Sequence, residues 1–408
     1  MAGAGQKHVL DGYKVLDFTH FIAGPTATRL MANMGAEVIK VELAPHGDQA
    51  RTIEYLRDKR SAYYVQQNRG KLGMCVDMHK PAALALIEEL IPKVDVLVEN
   101  FAPGVIGSMG LDYATVSALN PRLVMCSIST FGQTGPLSRD TGFDFIGQAY
   151  AGVTSLIGET DGPPYVPMIA IGDTTTGVHA MGAIACALLF REKTGEGQFI
   201  DISLLDSYFH AQTIGVELYS ASKGKSEITR SGLHHPSLCP AGTFKGKKWH
   251  IIILAWIDSH WARLCKAIGQ PELAHDPRFA DTPARTRHKA EIIQLIEDWL
   301  AAMPSDEAAI DAMRAQRVPV APILSVREAM SHPHLLERGT VRTIHDRLLG
   351  EFQIPGFPLR FSQFPKELEL EAPMLGEHNE EVLNRYLGYS HERISDLIKA
   401  GVLHSAPY

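Results

Sequence analysis

The chain has 408 residues, of which 45% are hydrophobic and 21% charged, with a formal net charge of −7. This composition is typical of a soluble globular protein with about two domains, and the lack of a basic cluster argues against a nucleic-acid or membrane surface. No apolar run reaches the ~20 residues of a membrane helix, and the N-terminus lacks the apolar core of a signal peptide. The five dispersed cysteines include no CxxC pair, so we expect a cytoplasmic or organelle-matrix location.

The first half of the chain alternates between strand and helix patterns. A strand at 13–18, a turn at 23–25, a helix at 26–34 closed by Gly35 and a strand at 36–42 form a predicted βαβ unit. Further predicted elements are a helix at 82–90, strands at 94–98 and 123–128, and a strand at 199–203 that leads into another helix. This alternation predicts a doubly wound α/β domain, and no GxGxxG dinucleotide fingerprint follows the first strand.

The pattern changes after residue 222, where the sequence becomes polar and typical of loops. Residues 243–256 then indicate a strand hairpin, followed by helices at 259–268 and 288–303 and a short strand at 318–324. We therefore predict a large domain at 1–222, a small α+β domain at 223–329, and a return of residues 330–408 to the large domain.

The 18 histidines require that a metal site be considered. His234 and His235 are adjacent, and His332 and His334 are two residues apart, but none belongs to an HExxH motif or a Cys/His quartet. We expect no metal.

Asp173 is an isolated carboxylate that follows Gly172 and precedes three threonines and a long alanine-rich segment, with no further acidic residue before Glu192. Two interpretations remain open from these residues. Asp173 is either a helix N-cap, where aspartate is preferred, or a chemically active group whose charged form the helix N-terminus favours. In the second case we expect the helix dipole to help keep its pKa low.

Six stretches, in order along nearly the whole chain, resemble the family III CoA-transferases, also called the CaiB/BaiF family. They are LDGYKVLDFTHFIAGPTATRLMANMGAEVIKVE, NRGK, DVLVENFAPGVIGSMGL, NPRLVMCSISTFGQTGP, REKTGEGQFIDISLLD and LGEHNEEVL. Within the family, the segments LDFTHFIAGP and GDTTTGVHA are similar to those of the formyl-CoA:oxalate CoA-transferase branch.

The resemblance implies a fold, an assembly and a reaction. The expected fold is a Rossmann-like large domain with a parallel sheet plus a smaller domain, in a homodimer of interlocked chains. The expected reaction moves CoA from an acyl-CoA to a free carboxylic acid, with CoA as substrate and no prosthetic group. Asp173 occupies the position of the family's nucleophile, which forms an aspartyl anhydride and then an aspartyl-CoA thioester.

The resemblance and local chemistry together give a predicted CoA site. Arg69 and Lys71 are candidate phosphate contacts, although solvated surface charge is an open alternative, and Lys71→Glu is expected to weaken CoA binding by about 1–3 kcal/mol. Ser108 stands where the oxalate branch has an arginine, so a phosphate contact is either lost or supplied instead by Arg139 or Arg51. The remaining candidates are a turn before a helix N-terminus and two stretches placed by family position: Ile22, Ala23, Val76, Asp77, Met78, His79, Asn100, Phe101 and Ala102. For Asn100, a turn residue at the end of a strand is the open alternative.

The residues around Asp144 weigh against related activities. α-Methylacyl-CoA racemases of the same superfamily need a second acid/base where this chain has Phe143, which carries no proton. Asp144 is a candidate catalytic partner of Asp173, with a structural turn or ion pair as the alternative. A racemase or epimerase, an acyl-CoA hydrolase and an acyl-CoA-binding protein without catalysis remain the rival functions.

Overall fold

The computed structural model describes residues 8–53 and 55–406. The chain divides into two compact units: Met1–Gly152, Pro167–Gln212 and Leu336–Tyr408 form the first, and Val153–Val166 and Thr213–Leu335 form the second. The domain boundaries expected from the sequence, between residues 222 and 223 and between residues 329 and 330, stay a prediction. Within the part of the chain described, no helix combines the length and the apolar character needed to cross a membrane.

The strands, in chain order, are β1 (Lys14–Asp17), β2 (Glu37–Leu43), β3 (Leu56–Arg57), β4 (Arg60–Ser61), β5 (Lys71–Val76), β6 (Val96–Glu99), β7 (Val124–Ser129), β8 (Gln198–Ser203), β9 (Ala241–Lys245), β10 (His250–Leu254), β11 (Val320–Pro322), β12 (Val341–Asp346) and β13 (Gly350–Pro355). The α-helices are α1 (Ala23–Asn33), α2 (Ala62–Asn68), α3 (Pro81–Leu90), α4 (Val105–Ser108), α5 (Tyr113–Leu119), α6 (Asp144–Tyr150), α7 (Ile171–Thr194), α8 (Leu204–His210), α9 (Gly215–Ala221), α10 (Asp258–Ala267), α11 (Thr282–Arg287), α12 (Lys289–Ala302), α13 (Asp306–Ala315), α14 (Val326–Met330), α15 (Pro333–Glu337), α16 (Asn379–Leu387) and α17 (His391–Lys399). Short 3-10 turns occur at Gln49–Thr52, Ile91–Lys93, Thr154–Leu156, Pro271–His275 and Pro277–Phe279.

The first unit is built on a parallel six-stranded sheet with the order β5-β2-β1-β6-β7-β8. Successive side chains of each strand point to opposite faces, and both faces are covered. Val15 of β1 packs on the side that holds α1 and α7, whereas Leu16 packs on the side that holds α3, α16 and α17. The α/β class predicted from the strand and helix alternation is therefore confirmed.

Helix α1 begins earlier than the sequence indicated. The predicted turn at 23–25 is the first helical turn, with Ile22 as N-cap, so Pro25 lies at the third helical position. Proline is tolerated there because the first-turn N–H groups have no intrahelical acceptor. Gly35 follows the helix with a φ of 92°, which agrees with its predicted role at the helix end.

The second unit contains a three-stranded antiparallel sheet in the order β11-β10-β9. Phe244 and Ile251 on the sheet pack with Trp261 of α10 and with apolar residues of α12 and α13 to form a separate core. The predicted hairpin, helices and short strand are all present, so this unit has the expected α+β character.

Candidate active site

The order of the strands locates a cleft in the first unit. Strand β2 lies next to β1 toward one edge of the sheet, whereas β6 lies next to β1 toward the other edge. The strand order therefore reverses between β1 and β6. Parallel sheets bind ligands at the carboxyl ends of the strands on either side of such a reversal. The loops that follow these two strands are joined, because the His20 N–H donates to Asn100 Oδ1 at 2.8 Å and Asn100 Nδ2 donates to the His20 carbonyl at 2.9 Å.

A cavity of about 340 Å³ lies against these loops. Its volume is within the range of small-molecule sites. Six of the predicted site residues meet on its wall, although they come from three separate parts of the chain: Ile22, Ala23, Asn100, Phe101, Ala102 and Asp173. A second cavity of about 420 Å³ above the ends of β1 and β2 shares His20, Gln49 and Phe101 with the first.

Asp173 lies in the first turn of α7 but does not cap it. The N-cap is Ala170, so Asp173 is the third helical residue. Its backbone N–H donates to Asp144 Oδ2 at 3.0 Å, and its own carboxylate makes no hydrogen bond with the described residues. The N-cap interpretation is therefore wrong, and the carboxylate on the cavity wall is free.

Asp144 and Tyr208 support the start of α7. Asp144, the first residue of α6, is buried and accepts hydrogen bonds from the Asp173 N–H and from the Tyr208 hydroxyl. Tyr208 on α8 also accepts a hydrogen bond from the Gly172 N–H at 2.9 Å. Sequence reasoning missed Tyr208, because it is 36 residues from Gly172 and belongs to no local motif.

The electrostatic surroundings of Asp173 oppose the sequence-based expectation. Burial, with the charge of Asp144 as the second cause, raises the pKa of Asp173 from its ordinary value to about 7. The expectation that the helix N-terminus keeps this pKa low is wrong. Loss of hydration and a neighbouring carboxylate outweigh the helix dipole at this position.

Comparison with known proteins identifies the chain. The model of CoA-transferase family III matches residues 10–379. The chain belongs to CoA-transferase family III. It is 33% identical to the succinyl-CoA:glutarate CoA-transferase of Homo sapiens, over 97% of this chain and 90% of that protein. It is 34% identical to the formyl-CoA:oxalate CoA-transferase of Streptomyces coelicolor, over 97% of this chain and 99% of that protein.

A solved structure shares the fold of this CoA-transferase. The crystal structure of a CaiB/BaiF family protein from Brucella suis superposes with a TM-score of 0.82 at 32% identity, covering 93% of this chain and all of that one. The resemblance carried by the six sequence stretches is therefore confirmed, and so is the prediction that the protein is an enzyme of the family III CoA-transferase type.

The predicted basic pair of the transferase does not reach the cavity. Lys71 is buried, and its ammonium lies 2.9 Å from Asp17 Oδ2 and 2.9 Å from Asn68 Oδ1. Arg69 is also buried and donates from Nε to the Leu370 carbonyl at 3.1 Å. The surface-charge alternative is wrong for both residues, and neither borders the 340 Å³ cavity, so their contact with a CoA phosphate stays a prediction.

The stretch Val76–His79, which includes Asp77 and Met78, lies at the carboxyl end of β5 and does not border the 340 Å³ cavity. Val76 is buried, and the Asp77 N–H donates to the Val402 carbonyl at 2.9 Å. His79 is exposed, so it remains accessible to a ligand that extends over the sheet edge.

Two arginines, Arg51 and Arg139, are candidates for the contact that an arginine at position 108 makes in the oxalate branch, and they differ in their partners. Arg51 is held by the Glu42 carboxylate, with an Nη2 to Oε1 distance of 2.6 Å, and by the Tyr64 hydroxyl. Arg139 is exposed, has no partner among the described residues, and adjoins residues of the cavity wall. This arrangement favours Arg139 over Arg51 as a contact for an anionic group.

Gly172 is expected to tolerate no side chain. A Cβ at this position would lie 2.1 Å from Cε2 of the Tyr208 ring. Gly172→Ala should therefore displace the ring, lower the free energy of unfolding by about 1–3 kcal/mol and slow transfer. Gly182 in the same helix has open space where a Cβ would lie, and Gly182→Ala should stabilise by about 0.5–1 kcal/mol. Thermal unfolding of both variants checks the opposite signs, and equal stability of the two would contradict the packing of Tyr208 on Gly172.

Proposed function

We propose that this enzyme transfers CoA from an acyl-CoA donor to a free carboxylic acid through covalent intermediates on Asp173. The observation that carries the proposal is the Asp173 carboxylate, which is free of hydrogen bonds with the described residues and lies on the wall of the cavity at the reversal of strand order. A nucleophile needs such an unoccupied oxygen within a partly dehydrated site.

The reaction proceeds in two balanced halves. An Asp173 oxygen attacks the thioester carbonyl and the carbon–sulfur bond breaks. The products are a mixed anhydride on Asp173 and the CoA thiolate. The thiolate then attacks the Asp173 side-chain carbonyl, which releases the donor acid and leaves an aspartyl-CoA thioester. The acceptor carboxylate attacks that thioester, its carbon–sulfur bond breaks, and a second mixed anhydride and the CoA thiolate form. The thiolate finally attacks the acceptor acyl carbon and breaks its bond to the Asp173 oxygen, which gives the new acyl-CoA and regenerates the Asp173 carboxylate.

The two neighbouring cavities support the placement of CoA. The acyl and thiol end faces Asp173, and the pantetheine arm lies along the cavity wall that the loops at 20–23 and 100–103 form together. Ala23 begins α1, so its first-turn N–H groups favour a polar or anionic group of the ligand. The second cavity, about 420 Å³, extends the cleft for the remainder of the molecule.

A labelled-acid experiment separates this function from its rivals. Succinyl-CoA and formyl-CoA are the first donors to test, because the names of the two relatives contain them. Label from a free acid that appears in the CoA ester supports transfer, whereas free thiol alone indicates hydrolysis. Deuterium incorporation at the α-carbon of a 2-methylacyl-CoA indicates a racemase, against which Phe143 weighs, and binding without turnover indicates a binding protein.

The rate of covalent intermediate formation should depend on the ionisation of Asp173. Its raised pKa, about 7, means that the carboxylate is protonated and unreactive at low pH. We expect the rate to rise about tenfold per pH unit below pH 7 and to level off above it. Rapid-quench measurement of the CoA adduct across pH 5–9 checks this expectation, and a profile with its midpoint near 4 would contradict the environment described for Asp173.

A homodimer is the proposed assembly, and apolar side chains on the first unit support it. Exposed residues occur on three successive helices, α6, α7 and α8: Phe145, Ile146, Tyr150, Val178, Leu189, Phe190 and Phe209. A second copy of the chain would remove this surface from water. For an interlocked pair we expect light scattering to report a dimer even at nanomolar concentration, and a monomer that reassociates quickly would count against interlocking.

A further inference from the structure

Three hydrogen bonds connect Tyr208 and Asp144 to the first turn of α7. The Gly172 N–H donates to the Tyr208 hydroxyl at 2.9 Å, the Tyr208 hydroxyl donates to Asp144 Oδ1, and the Asp173 N–H donates to Asp144 Oδ2 at 3.0 Å. Tyr208 is 3% exposed and Asp144 is 6% exposed. The result is a closed, buried circuit that includes the backbone of the proposed nucleophile but not its carboxylate.

The circuit takes the place of an ordinary helix cap. The first N–H groups of a helix have no intrahelical partner, and side-chain oxygens at the N-cap or third helical position usually accept from them. Ala170 at the N-cap has no such oxygen. Asp173, at the third helical position, is the acidic residue of this turn. If Tyr208 and Asp144 did not accept from the first-turn N–H groups, the Asp173 carboxylate would be able to do so.

We propose that Tyr208 is a positioning residue for the reaction, because with Asp144 it occupies the N–H groups of Gly172 and Asp173 and so keeps the Asp173 carboxylate out of a capping role. The inference rests on the proposed role of Asp173 as nucleophile. A carboxylate that accepts backbone hydrogen bonds is stabilised as an anion, and this stabilisation makes it a weaker nucleophile.

The packing and protonation of Tyr208 agree with this role. Its ring lies so close to Gly172 that a Cβ there would be 2.1 Å from Cε2, so the glycine permits the hydroxyl to approach the backbone. Burial, together with the hydrogen bond to Asp144, raises the pKa of Tyr208 above its ordinary value. The hydroxyl therefore remains a donor to Asp144 throughout the neutral pH range.

The Tyr208→Phe variant removes the hydroxyl and keeps the ring. We expect it to bind CoA with an unchanged Kd, because Tyr208 does not border the cavity, and to lose about 10–100-fold in kcat. The pH midpoint of adduct formation should move down by about half a unit or more, because the freed Gly172 N–H then holds the Asp173 anion. The matched control is Tyr113→Phe on α5, which should change neither kcat nor the midpoint.

A rescue variant separates positioning from simple stability. Ala170→Ser supplies an N-cap oxygen, so in the Tyr208→Phe background it should restore both kcat and the pH midpoint in part. Restored thermal stability with no recovery of kcat would assign Tyr208 a structural role only and overturn the inference. An upward shift of the midpoint would also overturn it, since Tyr208 would then act by offsetting the Asp144 charge.

The failure of this inference is distinguishable from failure of the proposed function. If Asp173→Asn retains transfer, the nucleophile assignment fails and the inference fails with it. If Asp173→Asn is inactive while Tyr208→Phe has wild-type kcat and an unshifted midpoint, only the positioning role is wrong.

Discussion

The Asp173→Asn variant is expected to fold, to bind CoA and to lose CoA transfer by at least about 1,000-fold, because an amide is a poor nucleophile and forms no anhydride. Wild-type enzyme incubated with acyl-CoA should gain the mass of CoA on the peptide that contains Asp173, and hydroxylamine should remove it. Steady-state turnover and peptide mass spectrometry measure the two outcomes. Near-normal turnover by the variant, after a check for deamidation, would leave the enzyme without an identified nucleophile.

Asp112→Asn is a matched control for this substitution. Asp112 is a genuine N-cap, since its side chain accepts from the Thr115 N–H at 2.9 Å, and it lies at the start of α5 outside the cavity. Asparagine is nearly as good an N-cap as aspartate, so this variant should keep both its stability and its activity. A large loss of transfer in Asp112→Asn would mean that exchange of aspartate for asparagine is harmful for general reasons.

The Lys71→Met variant is expected to lower the free energy of unfolding by about 3–5 kcal/mol, the usual result of removing one partner from a buried ion pair. Lys71 and Asp17 are both buried, with 2.9 Å between Nζ and Oδ2. Burial alone would raise the pKa of Asp17, but the neighbouring ammonium groups of Lys71 and Lys40 bring this pKa down to about 2. Loss of Lys71 therefore leaves the buried Asp17 carboxylate with only Lys40 to balance its negative charge.

Urea or thermal unfolding measures this effect, with Lys93→Met as the control. Lys93 is an exposed lysine of the same unit without an ion pair among the described residues, so its replacement should change stability by less than about 0.5 kcal/mol. A second variant, Asp17→Asn with Lys71→Met, should recover part of the loss because no unpaired charge remains. Unchanged stability together with weakened CoA binding would instead favour the phosphate contact predicted from the sequence.

The sequence by itself determined the α/β class and the family. Parallel strands covered on both faces appear as short apolar runs, and such runs at 13–18, 36–42 and 123–128 correspond to β1, β2 and β7. Asp173 also stood out in the sequence as an isolated carboxylate at the start of a long helix, although its residues alone did not separate a helix cap from a nucleophile. These features are local, so they are visible along the chain.

Only the tertiary structure decided how the site residues are held. Lys71 has the pattern of a surface charge or a phosphate contact until its buried partner, Asp17 on another strand, is known. Tyr208 has no local signal, and it meets Gly172 because α8 packs beside the start of α7. The pKa of Asp173 likewise depends on burial and on Asp144, which are brought to it by folding. Hydration and charge at a point in space depend on segments distant in sequence, and local pattern does not contain that information.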